Sequence, residues 1–346
     1  MAETIQPLDS SPAVPDMPPR MIMDLRTDCN LKCPMCLVHG DPDNPKLASF
    51  LKRDVDLNKA IAVLEEVAAY KPLWMPSLWS EPLLAKNFQA FAAKVKELGM
   101  TLALNTNGLT LREPLADFFV EVGVDAVCFS IDATTPETLR KIRGIDKLDK
   151  LHHAVRMMLD ARGSRPHPRI GVSFTTQDGN AEEEQAFIDH WTKIVDFVRT
   201  GALFSGGAFA TVQPGAERRA CAALYNTMAI HADGNVSYCC LDGFAETSVG
   251  NVFEDGVRGV WHGEKMTGVR RWHETGQWDK VPFCINCDRW ASYDFEEQQR
   301  DGLLIRRSPE YTYYNRIDRL GNWTENMTGG LHDIPDPAAL STEPGL

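Results

Sequence analysis

The chain has 346 residues, of which 43% are hydrophobic and 24% are charged, and its formal net charge is −12. This balance is typical of a globular protein with a sizeable core, and the length allows about two domains. The negative charge argues against a nucleic-acid partner, because proteins that bind the phosphate backbone usually carry a basic surface. No apolar run approaches the roughly 20 residues of a membrane-spanning helix, so we expect no membrane segment.

The two ends of the chain differ in composition from its middle. Residues 1–20 are rich in Pro and Ser and have neither a basic start nor an apolar middle. We therefore expect a flexible arm over 1–20 rather than a secretory signal, and a similar flexible tail over 326–346. Without an export signal the protein is expected in the cytoplasm, where nine cysteines indicate metal or redox chemistry rather than disulfides.

Strand-like and helix-like segments alternate along residues 21–214. Six apolar runs predict strands, the first in MIMDLRTDC and the last in VDFVRTGALFSG, and segments such as NFQAFAAKVKELG predict the helices between them. This alternation implies βαβ units, a parallel sheet and right-handed crossovers. We therefore predict an α/β fold in which six units curl into a partial (β/α)6 barrel.

The pattern changes near residues 214–215, where we place a domain boundary. The segment MAIHADGNVSYCCLD contains two short strand-like runs around DGN, which is a strong hairpin signal. We predict that residues 215–325 form a second, small, cysteine-bearing domain. The segment SYDFEEQQRDGLLIRR near its end is predicted to be a helix.

Three cysteines, Cys29, Cys33 and Cys36, lie within eight residues directly after the first predicted strand. A closed zinc site needs four ligands, and each of the four irons in a cubane cluster usually takes one thiolate. Three cysteines would therefore leave one iron open for a substrate or cofactor. The alternative is a zinc site that His39 or Asp41 completes.

The segment CNLKCPMC has the spacing C-x3-C-x2-C and resembles the radical S-adenosylmethionine (SAM) superfamily. Three later segments, SEPLL, NTNG and SIDATTPETLRKIRG, resemble that superfamily in the right order, and together the matches cover about residues 20–215. The resemblance implies a [4Fe–4S] cluster that binds SAM at its open iron and needs an external electron donor of the flavodoxin or ferredoxin type. It also implies cleavage of SAM to a 5′-deoxyadenosyl radical, which abstracts hydrogen from a small-molecule substrate.

The same resemblance implies that Glu81 accepts a hydrogen bond from the methionine amino group of SAM. The family segment usually has glycines ahead of this glutamate, whereas this chain has Trp79 and Ser80. The departure affects the expected close approach of the backbone to SAM, but leaves the carboxylate in place.

Three further SAM contacts are implied by the resemblance. Ser130 and Asn107 would bond the ribose or the methionine moiety, and the planar fork of Arg143 would pair with the methionine carboxylate. The alternatives are that Asn107 only forms a turn with Gly108, and that Arg143 only caps a helix end beside Gly144.

The C-terminal cysteines form a second group. Their spacing, C-x12-G-x4-C followed by CINC, resembles the opening of the SPASM extension of radical SAM enzymes, shortened to the "twitch" form because no cysteine follows the last of them. The resemblance implies one auxiliary [4Fe–4S] cluster with four protein ligands, and the spacing is similar to that of the 2-deoxy-scyllo-inosamine dehydrogenase family. A four-cysteine zinc ribbon is the alternative. The four cysteines are Cys221, Cys239, Cys284 and Cys287.

Two cysteines remain outside these groups. Cys128 lies in an apolar strand, where an inert core residue is expected. Cys240 directly follows Cys239, and because adjacent residues in a strand face opposite ways, both should not bind the same cluster. Cys240 is then either a packing residue or a thiol that donates hydrogen to a substrate radical, which would make the protein an epimerase; Cys128 could in principle take that role.

A cluster with four protein ligands has no open iron, so the auxiliary cluster is expected to accept an electron. We therefore predict a radical oxidoreductase that oxidises a secondary alcohol of a sugar, aminocyclitol or related natural-product intermediate, as in antibiotic biosynthesis. The chain lacks a glycine-rich dinucleotide fingerprint, which agrees with oxidation without nicotinamide. Candidate pocket residues near predicted strand ends are His39, Arg199, Gln213 and Trp79.

Three other functions stay open at this stage. The same clusters would serve an epimerase, a dehydratase or a carbon–carbon bond-forming enzyme on a glycosyl substrate. Many SPASM proteins modify ribosomal peptides, although no extra N-terminal domain for peptide recognition is expected here. The third is a non-catalytic iron–sulfur or zinc scaffold.

Overall fold

The computed structural model describes residues 12–50, 53–203, 217–291 and 295–322. Six parallel strands pair in sequence order and do not close into a full ring, which confirms the predicted partial barrel. The strands are β1 (Arg20–Met23), β2 (Leu73–Met75), β3 (Thr101–Thr106), β4 (Ala126–Ser130), β5 (Arg169–Thr176) and β6 (Phe197–Ala202).

Helices connect these strands on the outside of the sheet, and two of them begin at a capping side chain. The Asp56 carboxylate accepts hydrogen bonds from the amides of Asn58 and Lys59, and the Thr135 hydroxyl caps the helix that begins at Pro136. No helix of the described residues is long and apolar enough to span a membrane. The helices of this half are α1 (Pro45–Phe50), α2 (Leu57–Val67), α3 (Phe88–Glu97), α4 (Glu113–Val122), α5 (Pro136–Arg143), α6 (Leu148–Arg162) and α7 (Glu184–Trp191).

The two faces of the barrel strands have different roles. On β3, Leu102 and Leu104 are buried and belong to the main hydrophobic core, whereas Ala103 and Asn105 are half-buried and line a cavity that Leu104 also borders. The alternation follows from the two-residue period of a strand, which sends successive side chains to opposite faces. Packing against the helices therefore stabilises the sheet and leaves its inner face available for polar residues.

The predicted hairpin around DGN is confirmed by antiparallel pairing of its two strands. Gly234 has a φ of 86°, which the turn requires and which a residue with a Cβ would adopt only with strain. This half of the chain comprises α8 (Ala223–Asn226), β7 (Thr227–Ile230), β8 (Asn235–Ser237), β9 (Ser248–Asn251), α9 (Val252–Trp261) and α10 (Glu264–Glu274).

The prediction of a C-terminal helix in SYDFEEQQRDGLLIRR is wrong. Its described residues form two antiparallel strands, β10 (Glu296–Arg300) and β11 (Leu303–Arg307). Asp301 and Gly302 connect them with φ angles of 52° and 76°, the backbone of a two-residue type I′ turn, for which Asp-Gly is a preferred pair. A third strand, β12 (Tyr311–Arg316), pairs antiparallel with β11 on one side and with β6 on the other.

The described residues modify the predicted domain plan. The C-terminal half adds β7 beside β1 and β12 beside β6, so it pairs with both edge strands of the partial barrel. Residues 204–216, which contain the predicted boundary, and the predicted tail over 326–346 lie outside the described residues. The boundary therefore stays a prediction.

The predicted flexible arm is wrong for its described end, residues 12–20. Met17 is buried in the main core, and the Trp261 indole donates a hydrogen bond of 2.9 Å to the Pro15 carbonyl oxygen. Composition alone does not reveal the burial of Met17 or the bond between Pro15 and the last residue of α9.

Candidate functional site

The N-terminal cysteine triplet lies in the loop that follows β1, at the carboxyl end of the parallel strands. Cys29, Cys33 and Cys36 line one cavity of about 360 Å³, here called the cluster cavity. Backbone amides of Leu31 and His39 approach the sulfur atoms of Cys29 and Cys36 at 3.4 and 3.3 Å. The three thiols therefore line the same cavity, and two of them, Cys29 and Cys36, also lie close to backbone N–H groups.

Gly40 closes this loop and has no room for a side chain. A Cβ at this position would lie 2.6 Å from the Cys36 carbonyl oxygen and 2.8 Å from those of Cys33 and Pro34. The Gly40 amide also donates a hydrogen bond of 3.0 Å to the Cys36 carbonyl oxygen. The chain thus folds back tightly over the cysteine triplet, which fixes the direction of the thiols.

The chemistry of these thiols fits an iron–sulfur cluster. Burial raises the pKa of the Cys29 thiol to about 12, and burial also raises the pKa of Cys33. Such thiols stay protonated at neutral pH unless a cation stabilises the thiolate, as coordinated iron does. A cubane takes one thiolate on each of its irons, so three thiols around one cavity fit three of its four irons.

Glu81 is buried in the wall of the cluster cavity. Its carboxylate accepts hydrogen bonds from the Thr106 hydroxyl at 2.7 Å, the Asn107 amide at 2.8 Å and the Leu83 amide at 3.2 Å. A carboxylate offers about four acceptor positions, so one stays available for a further donor such as an amino group. The bonds from Thr106 and Asn107 also link the segment after β2 to the end of β3.

Asn107 and Ser130 line the same cavity from the ends of β3 and β4. The Asn107 side chain donates to the Asn30 side-chain oxygen at 2.7 Å and accepts from the Leu109 amide at 3.1 Å. Asn107 therefore both builds its turn and ties that turn to the cysteine loop. The Ser130 hydroxyl accepts a long hydrogen bond of 3.4 Å from Ser173.

Arg143, the last residue of α5, also faces the cluster cavity. Its guanidinium pairs with the buried Asp132 carboxylate at 2.6 Å, and one of its nitrogens lies 4.0 Å from the Cys33 sulfur. The helix end itself is closed by Gly144 with a φ of 71°. Asp132 therefore holds this cation beside the cysteine loop.

Asp24 organises the segment after β2 and was missed by the sequence analysis. Its buried carboxylate accepts hydrogen bonds from the amides of Leu78 and Trp79 at 2.7 and 3.3 Å and from the Ser80 hydroxyl at 2.6 Å. The Trp79 indole in turn donates to the Cys240 carbonyl oxygen at 2.9 Å. Trp79, one of the two residues that replace the expected glycines, therefore connects the barrel to the C-terminal half.

The two residues considered as extra zinc ligands do not share the cluster cavity. His39 is buried beside the cysteine loop, where burial lowers the pKa of its imidazole, but it does not line the cavity. Asp41 is exposed, and its carboxylate accepts a hydrogen bond from the Asp43 amide in a turn. Gln213, another candidate pocket residue, lies outside the described residues.

The C-terminal cysteines surround a second, small cavity. Burial raises the pKa of Cys221 and of Cys284 to about 12, so these thiols also need a cation to ionise at neutral pH. Arg218 donates a hydrogen bond of 3.1 Å to the Ile285 carbonyl oxygen and also bonds the Cys284 carbonyl oxygen. The cysteines that line this cavity are Cys221, Cys239, Cys284 and Cys287.

Cys240 does not line this cavity. The prediction that it faces away from Cys239 as a strand neighbour is wrong, because both residues follow β8 in a bend and their thiols are hydrogen-bonded to each other. Together with Cys128, Cys240 lines a third space of about 310 Å³, here called the barrel cavity. Cys128 is buried, as expected, but it forms part of the cavity wall rather than of the closed core. Trp79, Arg199 and Tyr311 line both the barrel cavity and the cluster cavity, so the two spaces adjoin.

Comparison with known families identifies the class of protein. Residues 25–180 match the radical SAM superfamily, and residues 221–288 match SPASM, an iron–sulfur cluster-binding domain. The two regions together span more than half of the chain. The protein belongs to the radical SAM superfamily and carries a SPASM domain, and these two domains imply SAM, a [4Fe–4S] cluster and auxiliary iron–sulfur binding.

Curated relatives are similar over part of their length. A probable GTP 3′,8-cyclase from Saccharolobus islandicus is 27% identical over 175 residues, which is 49% of this chain and 53% of that relative. Pre-heme d1 synthase from Dinoroseobacter shibae is 33% identical over 129 residues, which is 36% of this chain and 30% of that relative. The chain thus spans about half or less of the length of these relatives.

Solved structures share the fold over most of the chain. SuiB from Streptococcus suis bound to the precursor peptide SuiA has a TM-score of 0.58 at 12% identity, covering 74% of this chain and 67% of that one. BtrN in complex with AdoMet and 2-DOIA has a TM-score of 0.50 at 18% identity, covering 78% and 92%. At such identities the likeness shows a common architecture.

Proposed function

We propose that this radical SAM enzyme is an oxidoreductase that converts a secondary alcohol of a sugar, aminocyclitol or related natural-product intermediate into a ketone. One observation carries the proposal: four cysteines, and no more, surround the auxiliary cavity among the described residues. Four protein ligands leave a [4Fe–4S] cluster without an open iron, so it is suited to accept an electron rather than to bind substrate.

In this proposal the cluster cavity would bind the N-terminal cluster and SAM, and the adjoining barrel cavity would bind the substrate. Cys29, Cys33 and Cys36 would hold the N-terminal cluster, while Glu81 would accept a hydrogen bond from the amino group of SAM. Arg143, held by Asp132, would supply positive charge for the methionine carboxylate, and Ser130 and Asn107 would line the remaining wall. The barrel cavity next to them would hold the substrate.

When bound, the clusters and SAM supply a 5′-deoxyadenosyl radical and an acceptor for one electron. The overall oxidation removes one hydrogen atom from the carbinol carbon, one proton from the hydroxyl group and one electron. A flavodoxin- or ferredoxin-type protein would supply the electron that starts each turnover. The walls of the barrel would orient the C–H bond and exclude competing reactions.

Anaerobic incubation with SAM, a strong reductant and candidate sugars tests the proposal. We expect 5′-deoxyadenosine and a sugar product that has lost two mass units. The Cys29→Ala variant should form neither, while Cys284→Ala should still cleave SAM but accumulate little ketone. If wild-type protein with intact clusters forms no 5′-deoxyadenosine, the scaffold alternative is correct and the proposal fails.

Epimerisation is a second candidate, because Cys240 lines the barrel cavity rather than the auxiliary cavity. A thiol in that wall is placed to return a hydrogen atom to a substrate radical. In deuterated water an epimerase would incorporate deuterium without net oxidation. Replacing Cys240 by Ala should stall an epimerase and leave a dehydrogenase active, so this variant separates the two functions.

A further inference from the structure

The barrel cavity has an unusual distribution of charge. Four arginines from different parts of the chain line it, and none of the described residues in its wall is an aspartate or glutamate. The protein as a whole has a net charge of −12, so this positive interior contrasts with the rest of the chain. The arginines are Arg20, Arg169, Arg199 and Arg289.

The positions of two of these arginines are fixed by the sheet. Arg20 begins β1 and pairs in register with Leu73 on one side and Thr227 on the other. Its Nε is buried and makes no hydrogen bond to any described residue. Arg199 lies within β6, opposite Tyr313 of β12.

Arg169 and Arg199 each lie beside an aromatic ring. The Arg199 guanidinium lies 5.4 Å from the ring centre of Tyr311, and that of Arg169 lies 5.1 Å from the ring centre of Phe197. Arg169 also donates a hydrogen bond of 3.2 Å to the Asn315 side-chain oxygen. Aromatic faces and amides stabilise a guanidinium but do not neutralise its charge.

Two carboxylates lie at the border of this group of arginines. The charge of Asp196 acts on Arg169, and Asp196 also binds Arg162 and Arg319, while Glu310 pairs with Arg289 where the two cavities meet. Burial lowers the pKa of Arg169 to about 10, which still leaves its guanidinium protonated at neutral pH. Several cations therefore share a poorly solvated space, and the repulsion between them would be relieved by a bound anion.

We propose that the barrel cavity binds its substrate through a carboxylate or phosphate group, which Arg20 and Arg199 hold with support from Arg169. The inference rests on the proposed function, because it assumes that the substrate occupies this cavity. Guanidinium groups pair with both anions through a planar fork. An aminocyclitol with a free ammonium group would be repelled, so the expected substrate is an acidic or phosphorylated sugar or polyol.

Calorimetric titration of the anaerobically reconstituted holoenzyme tests the proposal without turnover. The ligands are glucose, glucosamine, glucuronate and glucose 6-phosphate, which share a ring and differ in charge. We expect at least one of the two anions to bind about tenfold or more tightly than glucose, and glucosamine to bind most weakly. Comparison of glucuronate with glucose 6-phosphate distinguishes a carboxylate site from a phosphate site.

Variants connect the affinity to the named arginines. Arg199→Gln and Arg20→Gln should each raise the Kd of the preferred anion about tenfold or more, and Arg199→Lys should recover part of the loss. Arg112→Gln, which changes an exposed arginine just before α4, is the matched control and should leave the Kd unchanged. Circular dichroism of each variant identifies those that fail to fold.

The outcomes separate this inference from the proposed function. If neither anion binds more tightly than glucose at millimolar concentration, or if glucosamine binds best, the inference is wrong. Oxidation of an uncharged sugar without any preference for anions would overturn the inference alone. Anion binding that depends on Arg199, in an enzyme that oxidises no acidic or phosphorylated sugar, would support the inference and count against the proposed oxidation.

Discussion

Gly40 shows how one small residue shapes the cluster loop. Three backbone carbonyl oxygens lie within 2.8 Å of the place where a Cβ would stand. Carbonyl groups of the main chain move less readily than a flexible side chain, so a methyl group here must displace the loop itself. The thiols of Cys33 and Cys36 would then lose their common direction.

We expect Gly40→Ala to lower the iron content of the N-terminal cluster while the auxiliary cluster stays loaded. The measurement is iron and sulfide per chain after anaerobic reconstitution, together with the electron paramagnetic resonance spectrum of the reduced protein. Gly268→Ala, in α10, is the control, because a Cβ there meets no atom within 4 Å. Equal iron content in both variants would show that the loop tolerates the methyl group.

Glu183 provides a test of pH dependence at the residue scale. Its carboxylate accepts hydrogen bonds from the Thr134 amide at 2.5 Å, the Thr135 hydroxyl at 3.0 Å and the Thr138 hydroxyl at 2.5 Å. Partial burial raises the pKa of this group, but the hydrogen bonds outweigh burial and hold its pKa below the ordinary value of 4.5. The carboxylate therefore stabilises the fold above pH 4.5, and this contribution is lost as the pH falls through the lowered pKa.

Glu183→Gln should accordingly lower the melting temperature at pH 7, and the difference from wild type should shrink as the pH is lowered below 4.5. Thermal denaturation followed by circular dichroism at several pH values measures this. The neighbouring Glu182→Gln, which changes an exposed side chain, serves as the control and should have little effect. A constant difference at all pH values would contradict the assignment.

Part of the site could be predicted residue by residue, and part could not. The cysteines and Glu81 stand in local segments whose spacing is itself the signal. Asp24 and Arg20 act across the sheet, on partners far away in sequence, and no local pattern reveals such contacts. For Asp24, the one available signal was an acidic residue directly after an apolar strand.

At the scale of elements, the barrel strands were predictable because apolar runs alternate regularly with amphipathic helices. The β10–β11 hairpin was not, since Leu303, Leu304 and Ile305 fit a helical face as well as a strand. Asp301-Gly302 decides between the two, because a helix disfavours glycine whereas a type I′ turn favours this pair.

Gly302→Val tests this turn directly. A β-branched residue at a φ of 76° is strained by about 1–2 kcal/mol, so the free energy of unfolding should fall by about that amount. Asp301→Asn is the control, because asparagine also tolerates positive φ. Chemical denaturation of the two variants gives the comparison, and unchanged stability in Gly302→Val would argue against the hairpin.

At the scale of the whole molecule, the C-terminal half completes the barrel sheet on both sides. β7 pairs with β1 and β12 pairs with β6, so neither edge strand of the barrel exposes its backbone donors and acceptors. Open edges invite pairing with other chains, and covering them is a common protection against aggregation. Sequence periodicity does not show which distant strands pair, so this arrangement could not be predicted.

Thr312→Pro should therefore disrupt the pairing of β12 with both of its neighbours, β6 and β11. Thr312 pairs with Thr200 of β6 and with Arg307 of β11, and proline removes a backbone donor within this central strand. We expect a loss of about 3 kcal/mol or more in stability and concentration-dependent aggregation, measured by denaturation and light scattering. Thr312→Val keeps the backbone donor and should stay monodisperse; aggregation of both variants would point to the side chain instead.

The pairing of β1 with β7 also constrains the order of events during synthesis. The cysteine loop leaves the ribosome early, attached to a strand whose second neighbour has not yet been translated. A cluster inserted during synthesis would be exposed to oxygen because β1 still lacks β7 as a neighbour. After release, β1 is paired with both β2 and β7. Iron–sulfur assembly machinery is thus expected to act on the finished polypeptide.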